Sequence, residues 1–191
     1  MKLKTTLNTA LLCLGLTLAL TSCKDEPKDS KETAENANEQ KFEKEGEKAA
    51  DKLVHAYSSN LFEIRAAENA ATNATTPEVK KLSAMLIEAH TKMNVTVKTL
   101  ADTKGVTLPT DLTEEQKKDI ADLAEKKGVD YDKNFVDKMK KKHEDALDFF
   151  EKTAEKSEEA DIKSWAASTV SEIRSHLDMV LVTENAIKDK K

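Results

Sequence analysis

The chain has 191 residues, of which 35% are charged and 38% are hydrophobic, and its formal net charge is −5 at pH 7. An anionic surface repels phosphate backbones, so this composition argues against nucleic-acid binding. The two cysteines, Cys13 and Cys23, both lie near the start. The rest of the chain therefore has no thiol for a disulfide, a thiolate metal site or a nucleophile.

The first 22 residues have the layout of a secretory signal. Lys2 and Lys4 give a positive start, and residues 7–20 form an apolar run. A membrane-spanning helix usually needs about 20 apolar residues, and the charged residues that follow this run argue against a buried helix. The run ends in Leu-Thr-Ser before Cys23 and resembles a bacterial lipobox. We therefore expect residues 1–22 to be removed and Cys23 to carry the lipid that holds the protein on a membrane.

The residue after the lipidated cysteine indicates which membrane. Position 24 is a lysine, not the aspartate that resembles an inner-membrane retention signal in many Gram-negative lipoproteins. We therefore expect the outer membrane. The segment Lys24-Asp25-Glu26 also resembles the short acidic export tags of some surface lipoproteins. Both the periplasmic face and the cell surface stay open.

Residues 23–46 are predicted to be the lipidated cysteine followed by a disordered, charged tether. The stretch is rich in Lys, Glu, Asp, Asn, Ser and Ala, and Phe42 is its one large apolar residue. Such a composition buries too little apolar surface to offset the entropy lost on ordering. The folded domain is accordingly predicted for residues 47–188.

From residue 47 onward the apolar residues recur at helical spacing, and no window alternates as a strand does. Four stripes predict four long helices: Leu53, Tyr57, Leu61 and Ile64; Val79, Leu82, Leu86, Ala89, Met93, Val97 and Leu100; Phe135, Met139, Ala146 and Phe150; and Ile162, Trp165, Thr169, Ile173, Leu177 and Val180. Thr76 and Pro77 are typical of an N-cap and a first helical residue, so the second helix is expected to begin there.

The link between the second and third long helices is the longest one. Gly105 ends the second helix, and a capping box over residues 113–116 begins a short helix inside the link. Asp130 or Asp132 is expected to cap the third long helix. The other links are short, which predicts antiparallel neighbours. The predicted fold is all-α, a ferritin-like four-helix bundle of two antiparallel helix hairpins joined by a long crossover that contains a short helix.

An ordered set of short motifs resembles the domain-of-unknown-function family 4142, ferritin-like helical proteins of bacterial envelopes. The motifs are Phe62-Glu63-Ile64, Thr76 to Lys80, Met85 with His90 to Asn94, Gly105 to Pro109, Tyr131 to Phe135, His143, Phe150-Glu151 and His176-Leu177. The resemblance covers about residues 51–182. It implies a helical fold and an envelope location, and it implies no particular activity.

One constellation could bind a metal ion. His90, His143 and His176 lie near the middle of the second, third and fourth long helices, and Glu63 lies near the middle of the first. Mid-helix positions of packed helices of similar length share one level, whichever way each helix runs. Three imidazoles and a carboxylate at one level form a donor set for a single divalent zinc, copper or iron ion.

Two alternatives stay open for this constellation. Glu68 points more directly inward than Glu63 on the predicted stripe, but it lies roughly 7 Å nearer the helix end. We therefore predict Glu63 as the ligand, with Glu68 as its substitute. The other alternative is that the histidines are ordinary core residues, each hydrogen-bonded to a neighbour.

A di-iron centre of the ferritin type is not expected. Such centres place a Glu three residues before the histidine on two helices. The residues three before the three histidines are Ile87, Lys140 and Ile173. Oxidase or iron-storage chemistry is therefore not inherited from the fold.

No catalytic residues are predicted, because no phosphate loop, nucleotide motif or placed nucleophile occurs. The first functional hypothesis is a non-enzymatic, lipid-anchored helical module that binds an unidentified protein or ligand of the envelope. The alternative is a mononuclear metal-binding protein with a buffering or stress role, using Glu63, His90, His143 and His176.

Overall fold

The computed structural model describes residues 29–191, and these residues form six α-helices and no strand. The helices are α1 (Ser30–Glu39), α2 (Lys44–Asn73), α3 (Pro77–Lys104), α4 (Glu114–Ala124), α5 (Gly128–Lys156) and α6 (Ala160–Ile187). The all-α prediction is confirmed. The predicted signal, residues 1–22, and the lipidation site Cys23 lie outside the described residues.

Helices α2 and α3 form one antiparallel pair. Only residues 74–76 separate them, and they pack along each other extensively. The side chain of Thr76 accepts a hydrogen bond from the Val79 amide, and Pro77 occupies the first turn of α3. This cap satisfies one of the amides that the helix start leaves without an intrahelical partner. The predicted start of the second long helix is thus observed.

Helices α5 and α6 form the second pair. Residues 157–159 connect them. Two ion pairs lie at different levels along the pair, Lys140 with Glu184 at 3.1 Å and Arg174 with Glu151 at 2.6 Å. Their order in the chain is reversed between the two helices, so α5 and α6 run antiparallel.

The two pairs face each other, α2 against α5 and α3 against α6. Near the end of α2, Asn69 accepts a hydrogen bond from the Tyr131 hydroxyl at the start of α5. Near the start of α3, Glu78 pairs with Lys190 just beyond the end of α6. Both facing pairs are therefore antiparallel. Helix α3 ends at one end of the domain, and α5 begins at the other end. Residues 105–127 therefore run along the length of the helices.

The link formed by residues 105–127 contains the predicted short helix. Thr113 and Gln116 form a reciprocal capping box at the start of α4. The Gln116 amide also donates to the carbonyl and hydroxyl oxygens of Ser58 on α2. The capping box thus begins α4, and its Gln116 side chain also holds α4 against α2.

The apolar core is divided into two clusters, one toward each end of the domain. Large members of the first cluster are Phe62, Leu86, Met139 and Val180, and large members of the second are Leu53, Met93, Phe150 and Ile173. Every long helix passes from one cluster to the other. Between the clusters lie buried polar residues from all four long helices, among them Glu63, His90, His143 and His176.

No helix of residues 29–191 is long and apolar enough to cross a membrane.

The predicted disorder of residues 23–46 is wrong for Ser30–Glu39, which form α1. Asp29 caps this helix by accepting from the Glu32 amide. Asn38 is fully buried and exchanges two hydrogen bonds of 2.8 Å with the backbone of Thr107. The composition did not reveal this helix, because α1 docks through an alanine and an asparagine amide rather than through large apolar side chains. The predicted domain limits, 47–188, also change, since helix α2 already begins at Lys44 and α6 ends at Ile187.

The predicted cap of the third long helix is also wrong. Helix α5 begins at Gly128, so Asp132 lies inside its second turn. The buried carboxylate of Asp132 instead reaches the α2–α3 link. It accepts hydrogen bonds from the Thr75 amide at 3.0 Å, the Thr76 amide at 2.7 Å and the Thr75 hydroxyl at 2.9 Å.

Replacement of Asp132 by Ala should lower the free energy of unfolding by about 3 kcal/mol, because the buried amides would lose the charged acceptor to which they donate hydrogen bonds. Asp130→Ala is the matched control, since Asp130 is exposed on the same helix. Urea unfolding followed by circular dichroism measures both. Equal destabilisation by the two changes would show that the link does not depend on this carboxylate.

Replacement of Asn38 by Ala should release α1 while the remaining helices stay folded, because both hydrogen bonds to Thr107 are lost. Hydrogen exchange should then accelerate over residues 31–39 and remain slow in α2 to α6. Asn36→Ala is the control, since that amide donates to the Glu32 carbonyl within the same helix. Unchanged protection of α1 in the Asn38 variant would contradict this docking.

Candidate metal centre

The candidate site is the buried polar layer between the two apolar clusters. Glu63, His90 and His143 are at most 2% exposed, and His176 is 8% exposed. Each residue comes from a different long helix, α2, α3, α5 and α6 respectively. The predicted juxtaposition of mid-helix residues is therefore present in the structure.

The four side chains converge on one point. The ring centroids of the three histidines are 5.3 to 5.7 Å apart. One nitrogen of each ring lies within 4.8 Å of the others. Glu63 Oε2 lies 3.3 Å from His90 Nε2 and 3.3 Å from His143 Nδ1. Zinc–nitrogen bonds of about 2.0 Å place tetrahedral ligands roughly 3.3 Å apart, so binding would draw the rings slightly inward.

Neighbouring oxygens orient two of the rings. His143 Nδ1 lies 2.8 Å from the Met139 carbonyl oxygen, which only accepts hydrogen bonds, so Nδ1 carries the proton. His90 Nδ1 lies 3.0 Å from Asn60 Oδ1 and donates to it when Nδ1 carries the proton. A neutral histidine that donates from Nδ1 has a free lone pair on Nε2. The contact with Met139 thus leaves His143 Nε2 free to bind a metal, and a proton on Nδ1 of His90 would do the same for its Nε2.

Four buried polar atoms of this layer have no hydrogen-bond partner: Glu63 Oε2, His90 Nε2, His143 Nε2 and His176 Nδ1. A buried polar atom without a partner costs about 1 to 3 kcal/mol. Glu63 Oε2 and His90 Nε2 lie 3.3 Å apart, a contact that is favourable when Nε2 carries a proton or when a cation lies between the two atoms. A metal ion would be within reach of one nitrogen of each of the three rings, with the Glu63 carboxylate beside them, so the residues fit such a group.

The electrostatic surroundings keep the rings of His90 and His176 neutral. The pKa of His176 is lowered to about 4, mainly by burial, and the neighbouring His90 and His143 rings contribute to this lowering while Glu63 opposes it. Burial also lowers the pKa of His90, and His143 adds to this effect while Glu63 opposes it. A neutral imidazole is the form that binds metal, so protons do not compete for these rings at neutral pH.

Glu68, predicted as the substitute for Glu63, does not reach the layer. It is exposed and pairs with Arg65 at 2.8 Å, one turn away on α2. The other histidine of the chain, His55, stacks on Phe149 with ring centroids 4.4 Å apart. The described cluster thus contains one carboxylate, and Ile87, Lys140 and Ile173 stand where a di-iron centre needs glutamates.

The sequence reasoning missed the residues that support the ligands. Asn60 is 4% exposed and lies one turn before Glu63 on the same face of α2. A buried amide one turn from a predicted ligand is a signal that helical spacing alone could have given. Helical spacing could not have indicated the role of Met139, because its backbone carbonyl and not its side chain makes the contact.

The structure describes an all-helical protein with a buried group of three histidines, His90, His143 and His176, that could hold a metal ion, and Glu63 lies beside two of the rings. The family described as domain of unknown function (DUF4142) matches residues 31–181, so the chain belongs to that family, as the ordered motifs predicted. The matched range begins within α1, which the sequence reasoning had assigned to a tether. No curated protein and no solved structure matches the chain.

The metal-free protein should lose stability as the pH falls from 6.5 to 4. The unfolded chain protonates residue 176 near pH 6.5, whereas the folded chain does so only near pH 4, so protons favour the unfolded state between these values. His176→Gln does not titrate and should flatten this part of the curve. Urea unfolding with a chelator present, repeated across the range, measures the slope. Equal slopes for wild type and variant would contradict the attribution of this pH dependence to His176.

Proposed function

We propose that this protein is a mononuclear metal-binding protein that holds one divalent transition-metal ion through Glu63, His90, His143 and His176. The observation that carries the proposal is the buried group of three imidazoles whose nitrogens lie within 4.8 Å of one another, with an unpartnered Glu63 oxygen beside two of the rings, between two apolar clusters. Three nitrogen ligands and one oxygen suit zinc, copper or iron, and the chain offers no thiolate at this level to select another class.

The helix directions support the ferritin-like four-helix bundle that the sequence predicted. Both pairs of sequential helices and both facing pairs are antiparallel, and the long link travels the length of the domain, as in bundles with one long crossover. The single carboxylate of the cluster supports one ion rather than two. A ferritin-type oxidase or iron store is therefore not part of the proposal.

The number of ligands favours storage over catalysis. Sites that perform chemistry on a zinc ion typically keep one coordination position open, whereas three histidines and a glutamate fill all four positions of a tetrahedral ion. The proposed role is accordingly non-enzymatic, as a metal buffer or a component of the response to metal stress.

The proposed location is the outer membrane, on its periplasmic face or at the cell surface. The signal and lipobox over residues 1–23 support a lipid anchor on Cys23. In the envelope the protein would act as a tethered binding module, with metal as its ligand and an envelope protein as a further candidate partner. The net charge of −5 supports metal attraction and argues against nucleic acid as a partner.

The purified protein, isolated without an affinity tag or chelator, should contain or take up about one zinc, copper or iron ion per chain. Glu63→Gln and His143→Ala should abolish both the bound metal and the rise in melting temperature that the metal causes, since each removes one of four ligands. Glu68→Gln is the matched control, because this exposed carboxylate lies on the same helix outside the layer. Elemental analysis and thermal melting measure these effects.

The proposal fails if wild type takes up none of the three metals. It also fails if the Glu63 and His143 variants bind as well as wild type. In either case the histidines are core residues that tolerate unpartnered nitrogens.

A further inference from the structure

A groove of about 580 Å³ opens between α3 and α6 on the outside of the domain. His176 forms part of its wall, and so do three methionines, Met85, Met93 and Met179. The unpartnered His176 Nδ1 is buried. Of the three histidines and the glutamate in the layer, His176 is the one that lines this groove, so the groove borders the candidate metal centre at His176.

The methionines are concentrated in this groove. The chain has five methionines, of which Met85, Met93, Met139 and Met179 belong to the described residues. All but Met139 line the groove. Met85 and Met93 are two helical turns apart on one face of α3, and Met179 is one turn after His176 on α6.

The three methionines of the groove differ in exposure. Met179 is 38% exposed, Met85 is partly buried, and Met93 is 7% exposed, close to the 8% of His176. An exposed thioether has no packing role that needs methionine rather than a polar residue. A series of thioethers from the surface to a buried imidazole is, however, suited to pass a soft metal ion inward.

We propose that this groove is the access route for copper as Cu(I), captured by the thioethers of Met179 and Met85 and passed to His176. This inference rests on the proposed function and revises it in one respect, because the bound ion is then monovalent copper and not a divalent ion. Thioethers select Cu(I) over zinc and over hard cations, and imidazole binds copper well. The carboxylate of Glu172 also lines the groove and attracts cations without selecting among them, whereas that of Glu88 is paired with Lys92 of the same wall at 2.6 Å.

The transfer is a ligand exchange without a redox step. Copper–sulfur bonds break as a bond forms between copper and the lone pair of His176 Nδ1, and copper stays Cu(I) throughout. The imidazole is neutral before and after, so no proton is released. The remaining ligands, His90, His143 and Glu63, then close around the ion.

The test compares the loading rates of two metals in the purified protein under anaerobic conditions. Cu(I) is supplied as its coloured bicinchoninate complex and Zn(II) as the free ion with a chromophoric indicator. The variants are Met85→Leu/Met179→Leu, which keeps side-chain size, and Met179→Leu alone at the exposed position. Ser171→Ala is the control for a change in the groove wall that removes no sulfur, and His143→Ala removes a ligand of the centre.

The double variant should load Cu(I) about tenfold more slowly than wild type, the lower end of the effect that partners of metal ligands have. Its final stoichiometry should stay the same, because the centre is intact. Its Zn(II) loading rate should not change, since zinc makes no use of thioethers. Met179→Leu alone should show a smaller effect in the same direction, and Ser171→Ala should behave as wild type.

Equal Cu(I) loading by wild type and the double variant would overturn the route. Equal slowing of Cu(I) and Zn(II) would also overturn it, because the methionines would then only shape the opening. Uptake of zinc but not of Cu(I) would overturn the inference and leave the metal centre standing. Uptake of neither metal, with His143→Ala indistinguishable from wild type, would instead remove the proposed function itself.

Discussion

A layer of buried polar side chains divides the apolar core, and the placement of all four long helices depends on it. Glu63, His90, His143 and His176 come from four helices and meet at one level, so a shift of any one helix by a turn would remove its ligand from the layer. Apolar residues there would pack with less cost, because buried acceptors without partners destabilise the fold by a few kcal/mol in sum. A structure that retains this cost keeps three imidazoles close enough together to share one cation.

Contacts far from the layer keep the helices in register. Asp132 on α5 holds the α2–α3 link at one end of the domain, and Asn38 on α1 holds the crossover at the other. Asn60 and the Met139 carbonyl then set the ring orientation within the layer. In both cases a hydrogen bond to a backbone or side-chain oxygen fixes a position or an orientation that apolar packing alone does not specify.

The sequence reasoning located the ligands but not their supports. His90, His143, His176 and Glu63 could be predicted, because mid-helix residues of packed helices share a level and these are the residues with metal-binding chemistry. Helix α1 and the role of Asp132 could not be predicted. Both depend on hydrogen bonds between residues more than 50 positions apart in the chain, and helical periodicity contains no information about such pairs.

By itself, the sequence determined the helical class of the described domain, most of the helix boundaries and the family, since apolar spacing, caps and ordered motifs are local properties. Only the tertiary structure decided between Glu63 and Glu68. The two carboxylates lie five residues apart on one helix, and packing buries the first in the layer while the second stays in solvent beside Arg65. Only the tertiary structure also gathered three distant methionines around one groove, because their common position depends on how α3 and α6 pack.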